Sequence, residues 1–206
     1  MYLQYACNDG IMKRLLLLGL VLFGMEVSAQ NGHLKFMGRE ICGSVVDFKN
    51  FLVSEKGFSR TIEPCILRGT FAEQKCQVRL VEGGDGMLFS VEMLSDNSYD
   101  KWTPLYRAYC AWVEIYTVKY GNPVSVIQSF GSYDDQVKLS NSDSIRMLAI
   151  DEETCNFRTV FSTDGGTIEI AIVKDKSKYS GCGKIFIKYC DKLNDKVQHS
   201  RILDEI

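Results

Sequence analysis

Histidine and proline are scarce: the chain has two histidines and three prolines in 206 residues. The two imidazoles, His33 and His199, sit far apart in sequence. A Ser-His-Asp or Cys-His site would need the fold to carry one of them to a nucleophile, and no nucleophile elbow or cysteine signature is present. No C-x-x-C and no paired Cys/His cluster occurs, so zinc spacing is absent. Charge of one sign is also missing. The formal net charge is −2, which gives no electrostatic reason to expect nucleic acid or an acidic membrane as partner. No apolar run of about 18 residues follows Ala29, so no further membrane span is expected.

What is present begins with an address. Lys13 and Arg14 precede the apolar run Leu15 to Phe23, and Val27-Ser28-Ala29 closes it with a small-x-small signal. This order reads as a secretory signal peptide, too short for a span. Residues 1–29 are thus an upstream extension plus leader, with Met12 an alternative start to Met1, and cleavage after Ala29 is expected to give a periplasmic or extracellular protein starting at Gln30. Gln30 stands where a lipoprotein would need cysteine. The leader removes as many acids as bases, so the net charge is unchanged. Cys7 leaves with it, and seven cysteines remain at scattered spacings, an odd number. Most read as small buried hydrophobes, with one or two disulfides as the competing reading.

The remaining chain reads as one unit written twice. A shift of 79 residues places Cys76, Val78, Arg79 and Val81 on Cys155, Phe157, Arg158 and Val160, and Asp85-Gly86 on Asp164-Gly165. It also places Phe89, Val91 and Met93 on Ile168, Ile170 and Ile172. Both copies read as strand, glycine turn, strand. A helix precedes each. The first spans 44–56, capped by Ser44 and stopped by Gly57, with Val45, Phe48 and Leu52 inward. The second spans 104–120, with Thr103 as cap and Gly121 and Pro123 as stop. Further strands are expected at 33–37, 66–71 and 183–190. The second copy needs about 15 extra residues. Gly131 to Ile145 supplies them as a Ser-, Asp- and Asn-rich loop or edge hairpin. The fold class is therefore α+β, two tandem helix-plus-antiparallel-meander repeats (30–99 and 100–206, with insertion 131–145), whose sheets run together or sit side by side, with helices packed on one face of the sheet or sheets.

The stretches His33-Leu34-Lys35-Phe36-Met37-Gly38, Lys56-Gly57-Phe58 and Leu67-Arg68-Gly69-Thr70-Phe71-Ala72 resemble a group of uncharacterised exported proteins of Bacteroides-type bacteria. Trp102, Leu105, Tyr106 and Lys119-Tyr120-Gly121-Asn122-Pro123 extend the likeness over the second half. Arg39-Glu40-Ile41-Cys42 departs from the apolar Ile-Pro-Ile-like stretch usual there. The tandem plan is similar in architecture to the protein inhibitors of β-lactamase. Neither resemblance assigns a functional residue.

Candidate sites are few. Tyr106, Tyr109, Trp112, Tyr116 and Tyr120 form a helical stripe, read as a face packed on the sheet or as an aromatic platform for glycans or protein. Gly83-Gly84-Asp85-Gly86 lacks the lysine and helix of a phosphate loop and reads as a hairpin turn. Asp151-Glu152-Glu153 lacks EF-hand spacing and reads as a solvated segment. No carboxylate pair suits glycosidase chemistry. No catalytic, metal or cofactor residue is assigned. The expected contact surface is the insertion, with Tyr133, Asp134 and Asp135 as binding residues and Tyr133 as anchor. The function so read is an exported, non-enzymatic binding or inhibitor-like module for a protein or glycan. An envelope structural or assembly role is the alternative, and an enzyme of unrecognised type the third reading.

Overall fold

Ser44 starts the first helix as its spacing predicts: its Oγ accepts from the Val46 and Asp47 amides at 3.0 and 3.4 Å. Helix α1 (Val45–Lys56) ends on Gly57, whose φ of 70° lies in the left-handed region that favours glycine. The Phe58 amide then reaches back to the Leu52 carbonyl at 3.0 Å, and the Phe58 ring is buried. The left-handed Gly57 thus closes the helix end, and Phe58 carries the chain into the core. The structure is a computed structural model, and it describes residues 32–83, 86–179 and 181–194. The leader, the Ala29–Gln30 junction, Gly84, Asp85 and His199 lie outside the described residues.

The first half begins with a hairpin, β1 (Lys35–Phe36) and β2 (Arg39–Glu40), shorter than the expected strand at 33–37. After α1 come β3 (Ser59–Arg60), β4 (Ile66–Phe71), β5 (Gln74–Glu82) and β6 (Leu88–Ser95). The second half runs from helix α2 (Trp102–Tyr120) through β7 (Ser125–Ser129) and two short helices to β8 (Asn156–Thr163), β9 (Gly166–Lys174) and β10 (Gly183–Asp191). The protein is α+β, with its helices on one side of a large antiparallel sheet. Strand order is β3-β4-β5-β6-β10-β9-β8-β7. The halves share one eight-stranded sheet, joined where β6 and β10 pair antiparallel from Ser90 with Cys190 to Leu94 with Phe186.

This order corrects the register of the repeat. Counting inward from each edge, β4 answers to β8, β5 to β9 and β6 to β10. The 79-residue shift matches β5 with β8 and β6 with β9, one strand out of step. Arg79 and Arg158 do share the face away from the helices, because Arg79 pairs with Glu92 and Arg158 bonds Glu169 in the same charged row. They stand on strands of different rank, so their alignment is a coincidence of period-two alternation.

The insertion is corrected as well. It is neither loop nor hairpin. A 3₁₀ turn at Gly131–Tyr133 leads into helices α3 (Asp134–Ser140) and α4 (Asp143–Asp151). Val137, Met147, Ala149 and Ile150 are buried in the core. The polar residues that suggested a loop form helix ends instead: Asn141 takes the left-handed C-cap conformation (φ 48°), and Asp134 and Asp143 lie in first turns, where the helix dipole favours carboxylates. Within 131–145 itself, Val137 is buried and Tyr133 and Ile145 pack against the core, so the insertion is not a dispensable projection.

Helix α2 starts at Trp102, two residues earlier than expected. Thr103 is no cap: its hydroxyl donates to Asp143 Oδ2 at 3.3 Å, tying α2 to α4. Its aromatic stripe faces inward. Trp102, Leu105, Tyr109, Trp112 and Tyr116 are buried against β8, β9 and β10. Trp112 stacks on Phe71 at 5.8 Å and 12°, and Phe71 stacks on Phe36 at 5.2 Å and 15°. The stripe is core and no glycan platform.

Candidate functional site

Strand β7 ends the sheet. Its sequence, Ser125-Val126-Ile127-Gln128-Ser129, has no charge and no proline, and its outer side has no strand partner among the described residues. Its inner side pairs with β8 from Ser125 opposite Val160 to Ser129 opposite Asn156. Pro123 and Gly121 turn the chain out of α2, and the Val124 amide reaches the Val160 carbonyl at 2.8 Å. The edge therefore presents main-chain N–H and C=O groups, and natural edges are usually blunted against such exposure. The opposite edge is blunted: β3 has two residues, and its Arg60 donates to Asn50 Oδ1 at 3.0 Å.

Beside this edge, on the helix side of the sheet, α2 and β7 enclose a groove of about 380 Å³. Cys110, Val113, Val118 and Val126 make it apolar, and Val118 and Val126 are 75% and 54% exposed. Its floor is the Tyr109 hydroxyl paired with Thr159 Oγ1 at 2.5 Å. Burial pushes the Tyr109 phenol up to about 12, against the opposing pull of the Thr159 bond, so the floor is neutral at physiological pH. Glu114 is the one charged lining residue.

The expected site residues are used mostly within the protein. Tyr133 is half-buried, and its hydroxyl donates to Glu152 Oε2 at 2.7 Å, which holds the phenol above its ordinary range. Asp134 accepts from Ser129 Oγ at 2.8 Å and from the Phe130 amide at 2.6 Å, fixing the exit from β7. Asp135 is exposed, with a 3.4 Å contact to Lys138. Tyr133 is thus a seated ring and no free anchor. The acidic triplet is likewise engaged: Asp151 pairs with Lys174 at 2.9 Å, Glu152 takes Tyr133, and Glu153 pairs with Lys176 at 3.4 Å. Gly83 closes its turn onto the Met87 carbonyl at 2.8 Å.

The fold brings His33 to Asp191, with Nδ1 and Oδ1 3.0 Å apart. Asp191 is fully buried and also accepts from the amides of Leu34 (2.6 Å), Leu193 and Asn194 (both 3.0 Å). These bonds make it a knot between the first hairpin and the end of β10. Cys42 lies within the field of Asp191, but burial, then the Glu40 and Asp191 carboxylates, push its thiol up. Burial takes the Cys76 and Cys155 thiols to about 12. A nucleophilic cysteine needs the opposite shift. A second hollow, about 310 Å³, carries Arg158, Glu169 and Lys174, whose charges are already paired. Among the described residues no group of three or more His, Cys, Asp or Glu is placed to hold a metal. No disulfide joins any of the seven described cysteines.

The edge and groove were missed in the sequence. The available signal was short: two β-branched residues in Ser125–Ser129, bounded by Pro123 and Gly131. No protein-family model matches the chain, and no curated protein and no solved structure is significantly similar to it.

Proposed function

We propose that the protein is an exported, non-enzymatic binding or inhibitor-like module that takes its ligand at the β7 edge and the adjoining groove. One observation carries the reading: an uncharged edge strand whose outer side has no strand partner among the described residues lies beside an apolar groove whose side chains, Val118 and Val126, are set out in solvent. Neighbouring exposed aliphatics on a rigid sheet and helix suit recognition, because little order must be gained on binding. Asp191, Tyr133 and the Asp151-Glu152-Glu153 triplet are committed to internal bonds, which supports binding over turnover.

Capture of partners from envelope extract of the native host tests this. Wild-type protein and the double variant Val118→Lys/Val126→Lys are compared, with bound species identified by mass. Both positions are exposed, so the variant should fold normally. Species held by the wild type are expected to fall about tenfold on the variant, as charge in an apolar contact dictates. Equal capture by both proteins would place the binding surface elsewhere.

Export and the thiol state are tested together by intact mass after alkylation under denaturing, non-reducing conditions. The protein from its host should begin at Gln30 and carry one adduct on each of Cys42, Cys65, Cys76, Cys110, Cys155, Cys182 and Cys190. A chain retaining Leu15 to Phe23 would refute export, and fewer adducts would refute the absence of disulfides.

A further inference from the structure

We infer that the occupant of this surface is an extended peptide segment that adds to β7 as a ninth strand, with aliphatic residues at alternate positions and a lysine or arginine directed at Glu114. The inference rests on the groove reading and names its ligand. Unpaired main-chain donors and acceptors along β7 are met in full only by another extended backbone. In an added strand, alternate side chains point to opposite faces. One set would enter the groove over Val113, Val118 and Val126; the other would lie beside Ile127 on the open face, since Ile127 pairs with Arg158 there. The groove volume sits at the low end of the about 300–1,000 Å³ usual for small-molecule pockets, which suits separate side chains.

Charge decides between a foreign peptide and a second copy of this chain. Glu114 is the groove's one charge, and the described residues give it no ion pair. A second copy would present its own β7, and from Gly121 to Tyr133 the chain has no lysine or arginine. Self-pairing would therefore leave Glu114 beside the new strand without a cation. A basic residue on a foreign strand neutralises it.

The test is selection from a random peptide library displayed on phage, with the mature protein as bait. Enriched peptides are synthesised, and binding is read by fluorescence anisotropy. Enrichment of alternating aliphatic residues with one Lys or Arg is expected. Val126→Lys should weaken binding about tenfold or more, and Glu114→Gln should weaken only peptides that carry the basic residue. Methylation of alternate peptide amides should abolish binding, because a strand without those N–H groups cannot pair. Far-ultraviolet spectra and melting of both variants should match the wild type; if Val126→Lys melts early, Val118→Lys on the helix replaces it. Failure to enrich any such peptide overturns the inference, as does a sedimentation dimer dissolved by Val126→Lys. Peptides that lose affinity on Val126→Lys yet tolerate methylation would keep the groove as a binding site and remove the added strand.

Discussion

Replacing Trp112 with alanine is expected to destabilise the protein by about 3–5 kcal/mol, the cost of opening a large cavity in a packed core. Trp112 lies between the halves. It stacks on Phe71 from β4 and tilts against Tyr116 at 6.1 Å, and the Tyr116 hydroxyl bonds that of Tyr189 on β10. Through Phe71 and Phe36 the same stack reaches the first hairpin. A cavity there loosens contacts from both halves at once. The indole adds a discriminating feature: its Nε1 is buried with no hydrogen-bond partner among the described residues. Trp112→Phe removes that unpartnered donor and keeps a ring in the stack. It should therefore cost about 1.5 kcal/mol or less. Urea unfolding of the three proteins decides. Equal losses for alanine and phenylalanine would mean that the indole N–H is satisfied and that ring stacking is not what holds the site.

Asp191→Ala should cost about 3 kcal/mol or more, for a different reason. The carboxylate is fully buried and gathers the Leu34, Leu193 and Asn194 amides and the His33 ring. Its loss leaves buried donors without acceptors, and each such donor costs about 1–3 kcal/mol. The neighbouring backbone has no room to rearrange: a Cβ on Gly166 would come within 2.1 Å of the Cys190 carbonyl oxygen, and one on Gly165 within 2.6 Å of the Leu34 amide nitrogen. The hairpin of β1 and β2 should then be the first part to open, seen as faster amide exchange at Leu34 and Ile41 than in the sheet. A loss under about 1 kcal/mol, or uniform exchange across the protein, would show that Asp191 is no anchor.

What could be read ahead of the structure was what neighbouring residues decide. Ser44 and Gly57 bound α1 because caps act over one turn of helix. The bounds of β4 and the inward row Ile185, Ile187 and Tyr189 of β10 followed from alternation. The helices of 131–151 were hidden because Ser, Asp and Asn serve loops and helix ends alike, and the apolar set Val137, Met147 and Ile150 is split between two short helices. The 79-residue shift sets β5 on β8 and β6 on β9, strands of different rank in the sheet, since any two half-buried hairpins share a period of two. The β7 edge was beyond local pattern altogether. Which strand stands last is a property of strand order, and that order is set by the β6–β10 pairing of residues far apart in the chain.

Amide hydrogen exchange read by mass spectrometry, on the protein alone and with a captured or selected partner at saturation, tests most directly where this module binds. The account predicts slowed exchange in Ser125–Ser129 of β7, with the two-residue edge β3 and the β6–β10 junction unchanged. Protection confined to the open face around Glu92 and Lys188, with β7 still exchanging as in the free protein, would contradict it.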